Sequence, residues 1–153
     1  MAIYRASDSI NGRLCKAFAT IDGNVEELFF IKSFEANVEK TKSEVPVVGD
    51  LWLQHKAGGL SGSGSMTIRA GSPLFKRLIS SYADTQIDQY FPLTIVNADP
   101  GSRRGIQSVT LLDVNFNGCN VTKMDVETDV LEEDYEFTFS GVKYIQEYND
   151  SVE

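Results

Sequence analysis

The chain carries one histidine, His55, two cysteines, Cys15 and Cys119, and 22 carboxylates, so the residues able to do chemistry are few and easily located. Hydrolysis through a triad, or proton transfer by an imidazole, would have to use His55. It stands in the polar stretch WLQHKAGG with no nucleophile motif beside it, which reads as a loop or interface histidine. The run Gly58 to Ser65, GGLSGSGS, lacks the closing Gly-Lys-Ser/Thr of a phosphate-binding loop and leads into a β-patterned segment before any helix. It is expected to be a mobile connector.

Metal chemistry fares little better. Asp113, Asn115, Asn117 and Gly118 match the first, third, fifth and sixth positions of an EF-hand calcium loop, but Met124 stands where a bidentate glutamate is required. Thr110, Leu112, Val114 and Phe116 alternate as a strand does, so a strand ending in an Asn-Gly turn is expected, with a calcium-dependent β-rich binding module as the alternative. The two thiols lack CxxC or Cys/His spacing, which indicates buried structural side chains in a reducing compartment. Asn120-Val121-Thr122 is a formal sequon without a secretory signal to give it a role. Consecutive Glu132, Glu133 and Asp134 do not make a glycosidase pair. No catalytic residue, metal or cofactor is expected.

The elements that must carry these residues are mostly strands. A chain of 153 residues with 42% hydrophobic side chains suits one domain with a real core. No apolar run approaches the ~20 residues of a membrane span, and the first residues lack a signal peptide's apolar centre, so a soluble protein without a cleaved leader is expected. Leu14 to Ile21 and Val25 to Ile31 flank Asp22-Gly23, a hairpin signature, because Asp-Gly supplies positive φ angles for a tight primed turn. From Leu28 onward, Phe30, Phe34, Ala36 and Val38 share one side of a two-residue period, and Glu35, Asn37 and Glu39 share the other. Pro46 marks an edge, bend or loop. Residues 42 to 65 are read as one long extended loop.

Ser65 to Ala70 alternates as a strand. Ser72 as cap, Pro73 at the first helical position and the spacing of Leu74, Phe75, Leu78, Ile79 and Tyr82 then predict an amphipathic helix from Pro73 to about Ala83. Leu93 to Val96, Val109 to Phe116 and Tyr135 to Phe139 read as further strands, with Pro100-Gly101 marking a long turn. The fold class is mainly β, a sandwich or barrel with one flanking α-helix.

Charge is uneven along the chain. Residues 1 to 124 hold 13 bases and 12 acids, whereas the last 29 hold Lys143 alone against ten acids. That sign repels phosphates at short range, which argues against tight or sequence-specific nucleic-acid binding.

Four blocks together resemble one family: KSFEANVEKTKSEV from Lys32, His55-Lys56 before a Gly/Ser loop and strand, SVTLLDVNF from Ser108, and LEEDYEFTF from Leu131. Their order and spacing from about residue 12 to 147 are similar to the tail tube proteins of PBSX-type contractile phage tails and phage-tail-like bacteriocins, and more distantly to type VI secretion tubes. The N-terminal dozen residues, the helix and the last few positions depart from the pattern. The resemblance implies a structural protein forming hexameric rings that stack into an inner tube, each subunit giving four strands to a 24-stranded ring. It also implies a sheath, a baseplate or initiator, a tail terminator and a tape measure protein as partners. Assembly in the bacterial host cytoplasm would precede residence in a virion or tail-like particle.

Such a ring is physically sensible. With strands about 4.8 Å apart tilted by roughly 40°, it is about 150 Å around and about 48 Å across, leaving a bore near 40 Å that passes duplex DNA. Closure also removes exposed strand edges. Glu35 and Glu39, on a wet strand face, and the acids from Asp125 to Glu136 are candidates for the lumen, or else solvate the exterior or meet a basic sheath. Trp52 and the neighbouring His55, Gly58, Gly59 and Ser61 are candidates for a subunit interface, since aromatic residues are enriched where interfaces gain most energy. The alternative places Trp52 in the protomer's own core. On this reading, deleting Gly58 to Ser65 abolishes stacking and leaves the monomer folded.

Overall fold

The computed structural model describes residues 3–28 and 30–148. Two 3-10 turns, Ala6–Asp8 and Gly12–Leu14, lead into β1 (Cys15–Ile21), β2 (Asn24–Glu27), β3 (Ile31–Val45), β4 (Gln54–Arg69), α1 (Leu74–Thr85), β5 (Phe91–Ala98), β6 (Ile106–Phe116), β7 (Glu132–Phe139) and β8 (Gly141–Gln146). The strands form one antiparallel sheet in the order β2-β1-β5-β6-β7-β4-β3, with β8 joined to β6. The fold is a mainly β sandwich with one flanking helix.

Strand β6 is the corner at which this sheet folds over itself. Its residues Ser108 to Leu112 pair with β8, and its last two, Asn115 and Phe116, pair with β7. Between them Asp113 takes a left-handed φ of 55°, and the register with β5 slips between Phe91 and Leu93. An irregularity of this kind bends a strand and increases its twist. One layer therefore contains β2, β1, β5, β6 and β8, and the other contains β3, β4, β7 and the end of β6.

The Asp22-Gly23 hairpin forms as its composition requires, with φ of 52° and 81° at the two turn residues and Ile21 paired to Asn24. The strand after it stops at Glu27, however, so the expected single run to Ile31 is corrected. Leu28 donates its N–H to the Ala17 carbonyl, and Arg69 donates to the carbonyl of Phe30, so this segment crosses from one layer to the other. Position 29 of the expected strand lies outside the described residues. The helix begins one residue late, with Pro73 as its cap and the Leu74 N–H on Ser72 Oγ at 3.4 Å. It ends at Gln86 in the left-handed conformation. Alternation alone did not mark β8.

The larger correction concerns residues 42 to 65, which are not a loop. Residues 42–45 and 54–65 belong to β3 and β4, a hairpin paired from Ile31↔Ile68 out to Val45↔Gln54 and turned over residues 46–53. The glycines in GGLSGSGS look like loop residues but serve the strand. A Cβ on Gly64 would lie 2.5 Å from the Phe137 ring and 2.5 Å from the Glu35 carbonyl oxygen, and one on Gly62 would lie 2.5 Å from the Phe139 ring. These aromatic rings on β7 cover the β4 backbone directly, and any side chain at positions 62 or 64 would push them off. Deleting Gly58 to Ser65 would thus remove the part of β4 that pairs with β3 and β7, so it cannot serve as a test of assembly alone.

Packing follows from this arrangement. Phe75 on α1 meets Phe30, Phe91, Phe116 and Tyr135 at centroid distances of 4.6 to 6.4 Å, and Phe137 stacks on Phe34 at 5.4 Å. Met66, Ile68, Leu93, Leu111 and Val114 complete the buried centre, each contributing about 1.5–3 kcal/mol relative to exposure. Buried Glu133 accepts from Lys76 and from the Tyr135 hydroxyl, which ties α1 to β7. Burial, helped by the adjacent Glu133 carboxylate, raises the Tyr135 phenol above the ordinary tyrosine range. Cys15 and Cys119 are free and half-buried, not fully buried. Burial, with Asp99 nearby, pushes the Cys15 thiol up and away from reactivity.

At the N-terminal end Asp8 is buried and accepts from Arg103 at 2.8 and 3.2 Å and from the Arg5 amide at 2.9 Å. The Arg5 amide first, and the Arg103 guanidinium after it, hold the Asp8 carboxyl below the ordinary aspartate value against the opposing effect of burial. The Arg103 amide also donates to the Ser7 carbonyl, so the segment is latched onto the β5–β6 turn.

Gly64→Ala lowers stability by about 3 kcal/mol through overpacking, while Ser63→Ala on the opposite face stays within about 0.5 kcal/mol; urea unfolding midpoints of the two variants check this. Because the folded-state value of Asp8 is depressed, its contribution is present above the unfolded aspartate value and lost as pH falls through the folded one. The protection factor of the Arg103 amide, its intrinsic exchange rate over the observed one, is expected to fall on acidification through that window in the native chain, whereas Asp8→Asn shows low protection already at neutral pH.

Candidate assembly surfaces

Pairing register brings one set of polar residues onto a single outer face. Across β3, β4 and β7 the rows read Ser33, Thr67, Asp134; then Glu35, Ser65, Glu136; then Asn37, Ser63, Thr138; and Glu39 opposite Ser61. Directly opposed residues on neighbouring strands share a face, and their alternate partners, Phe34, Ala36, Met66, Phe137 and Phe139, point into the core. These rows hold four carboxylates, five hydroxyls counting only serine and threonine on β4 and Thr138, and neither lysine nor arginine. At the base of these rows Lys32 meets Glu132 at 3.0 Å. Thr67 donates to Asp134 at 2.7 Å and Asn37 to Glu35 at 3.2 Å.

Glu35, Glu39 and Ser61 thus lie together on this acidic face. Sequence reading grouped Glu35 with Glu39 but kept the Asp125 to Glu136 acids apart, and the register is what joins Asp134 and Glu136 to them. The signal for it is the two-residue alternation in GSGS and in DYEFTF. The acids from Asp125 to Asp129 lie elsewhere, in the connection before β7, where Asp125 accepts from the Glu127 amide and the Thr128 hydroxyl and is lowered by them, Thr128 first. Asp150 and Glu153 lie outside the described residues.

The other expected interface residues spread along the outer hairpin. Gly58 and Gly59 form a bulge: Lys40 pairs with Leu60 and Lys42 with Ala57, so two glycines oppose Thr41 alone. His55 lies opposite Glu44 near the end of the pairing. Beyond it Trp52 is 82% exposed, which excludes the alternative of a protomer-core tryptophan, and Val48 and Leu51 are exposed at 103% and 102%. Strand β4 leaves β7 beyond Gly62, so residues 54 to 61 carry this apolar tip about 26 Å past the body. Strand β3 pairs on one side only, with β4, leaving a long free edge.

The calcium alternative finds no convergent oxygens. Asp113 accepts from Ser140, Asn115 donates to Asp88 and to the Gln89 carbonyl, and the Asn117 amide donates to the Glu136 carbonyl. Among the described residues no group of three or more His, Cys, Asp or Glu side chains is placed to hold a metal, and no helix is long and apolar enough to cross a membrane.

Comparison with known proteins agrees with this architecture. The family model described as phage tail tube protein matches residues 2–146. The phage-like element PBSX protein XkdM of Bacillus subtilis (strain 168) is 38% identical over 147 residues, covering 96% of this chain and 97% of that protein. Among solved structures, the fold is similar to a chain of the sheath-tube complex of an extracellular contractile injection system, PVC, in the extended state, with a TM-score of 0.69 at 14% identity over 91% of this chain and 92% of that one. It is also similar to a chain in the tail of an empty gene transfer agent particle refined with C6 symmetry, with a TM-score of 0.58 at 12% identity over 90% and 100%. A family match across nearly the whole length and a relative of this identity place the chain among the phage tail tube proteins, and it belongs to that family.

Proposed function

We propose that six copies of this chain close into a ring through the free edges of their sheets, and that the rings stack into the hollow inner tube of a contractile tail or tail-like particle. The observation that carries this reading is the face formed by β3, β4 and β7: hydroxyls and carboxylates outward, aromatic rings inward, with a free edge alongside. The layer holding β3, β4, β7 and the end of β6 contributes four strands, the number a 24-stranded ring needs from each of six copies. The C6 symmetry of the gene transfer agent tail supports six as the count.

On this reading Glu35, Glu39, Asp134 and Glu136 line the lumen. Small hydroxyls between regularly spaced carboxylates give a translocating phosphate backbone nothing to hold, because like charge suppresses the counterion release that drives binding. The same tube serves a DNA-carrying phage or an empty piercing tail. The hairpin from Lys42 to Ser65, with Trp52, His55, Gly58, Gly59 and Ser61 along it, reaches other subunits. Sheath, baseplate or initiator, terminator and tape measure proteins are its partners in the particle, assembled in the bacterial host cytoplasm. No catalytic step is part of the role.

Electron microscopy of the concentrated protein is expected to show sixfold rings or tubes with a bore near 40 Å, as estimated for 24 strands. Tubes of the Glu35→Lys, Glu39→Lys, Glu136→Lys variant are expected to retain duplex DNA as axial density within the bore at low salt and lose it at high salt, while native tubes stay empty. Axial DNA in native tubes, or variant tubes decorated only outside, contradicts the lumen assignment.

A further inference from the structure

The sandwich is filled at one end and open at the other. Along each strand the inward residues run from the Phe75 cluster toward a cleft: Phe91, Leu93, Ile95 on β5; Val114, Leu111, Val109 on β6; Tyr135, Phe137, Phe139 on β7; Phe34, Ala36, Val38 on β3. The outer members of these series, joined by Val142 of β8, line a cleft of about 1240 Å³ between the two layers. No described side chain of the protomer fills it as Phe75 fills the other end.

The same chain carries an apolar group with no place of its own, the hairpin tip around Val48, Leu51 and Trp52. The tip lies about 26 Å beyond the body on a two-stranded arm, too far to fold back onto the layer that supports it. We propose that the hairpin tip of a second copy seats in this cleft, an inference that rests on the ring reading above and names the surface by which copies hold one another. Charge agrees with this occupant. The cleft is lined by Arg13, Lys16 and Arg69, and by Lys32 in its pair with Glu132, against Glu27, and the only charge among residues 46 to 53 is Asp50, which accepts from the Trp52 backbone amide at 3.0 Å and so belongs to the tip itself. Cleft and tip are different patches of one chain, so the contact is heterologous and repeats from copy to copy instead of pairing two copies face to face. A tryptophan anchoring in a partner's pocket is the usual form of an energetic hot spot.

Photocrosslinking of the assembled protein tests this, with benzoylphenylalanine placed at position 52 and, in a second variant, at position 48 in case the first does not assemble. The expected result is a ladder of dimers, trimers and higher species whose crosslinked peptides come from β5, β6 and β8 around Ile95, Val109 and Val142. Trp52→Ala should raise the concentration needed for assembly by about tenfold or more. Normal rings or tubes with crosslinks mapping outside those strands, crosslinks confined to single chains, or a product that stops at dimers would each overturn the cleft assignment and leave the ring reading standing. Failure of the unmodified protein to form rings or tubes would overturn both.

Discussion

The constraint on which the rest depends is the thinness of β4 where the aromatic rings of β7 cross it. Phe137 and Phe139 lie directly against Gly64 and Gly62, and that close approach lets Phe34 stack on Phe137 from the next strand. A strand with side chains at both positions would hold the rings away from the backbone and open the layer. Because β4 is thin on its inner face, it can carry an unbroken row of serine and threonine on its outer face while sharing one core with β7. The acidic outer surface and the aromatic interior are thus two consequences of one alternation, glycine inward and hydroxyl outward.

Much of this was legible from residue order. The Asp22-Gly23 turn, the helix stripe at Leu74, Phe75, Leu78 and Ile79, and the alternation from Phe34 to Glu39 each express a local rule that tertiary structure leaves intact. What misled was composition. Glycine and serine in residues 58 to 65 and a proline at 46 mark loops when read alone, yet here glycine answers to neighbours about 70 residues away in sequence, which no local pattern displays. The same distance hid the joining of Asp134 and Glu136 to Glu35, because only pairing register decides which acids stand side by side. The exposure of Trp52 was equally undecidable, since a tryptophan among leucines and valines suits a core as well as a contact.

The division between the two ends of the sandwich has an energetic side. At the helix end the core is closed, and a buried carboxylate, Glu133, is retained because Lys76 and Tyr135 satisfy it; removing one partner alone would leave a buried charge exposed to the desolvation cost that makes such pairs sensitive. At the other end no described side chain gives comparable filling, and the half-buried Ile95, Val109 and Val142 line the cleft.

The paired glycines opposite Thr41 separate two properties that a projecting arm must have. A bulge turns the strand and adds twist, so the bulge at Gly58 and Gly59 sets the direction in which the outer hairpin departs, and on the cleft proposal residues 46 to 53 set what it adheres to on arrival. Aim and grip are therefore written in different stretches of the polypeptide. On that proposal, sequence drift at the tip retunes adhesion strength without altering bearing, and the bend itself has room for change, since a Cβ on Gly59 would meet nothing within 4 Å and one on Gly58 only ordinary contact with Thr41.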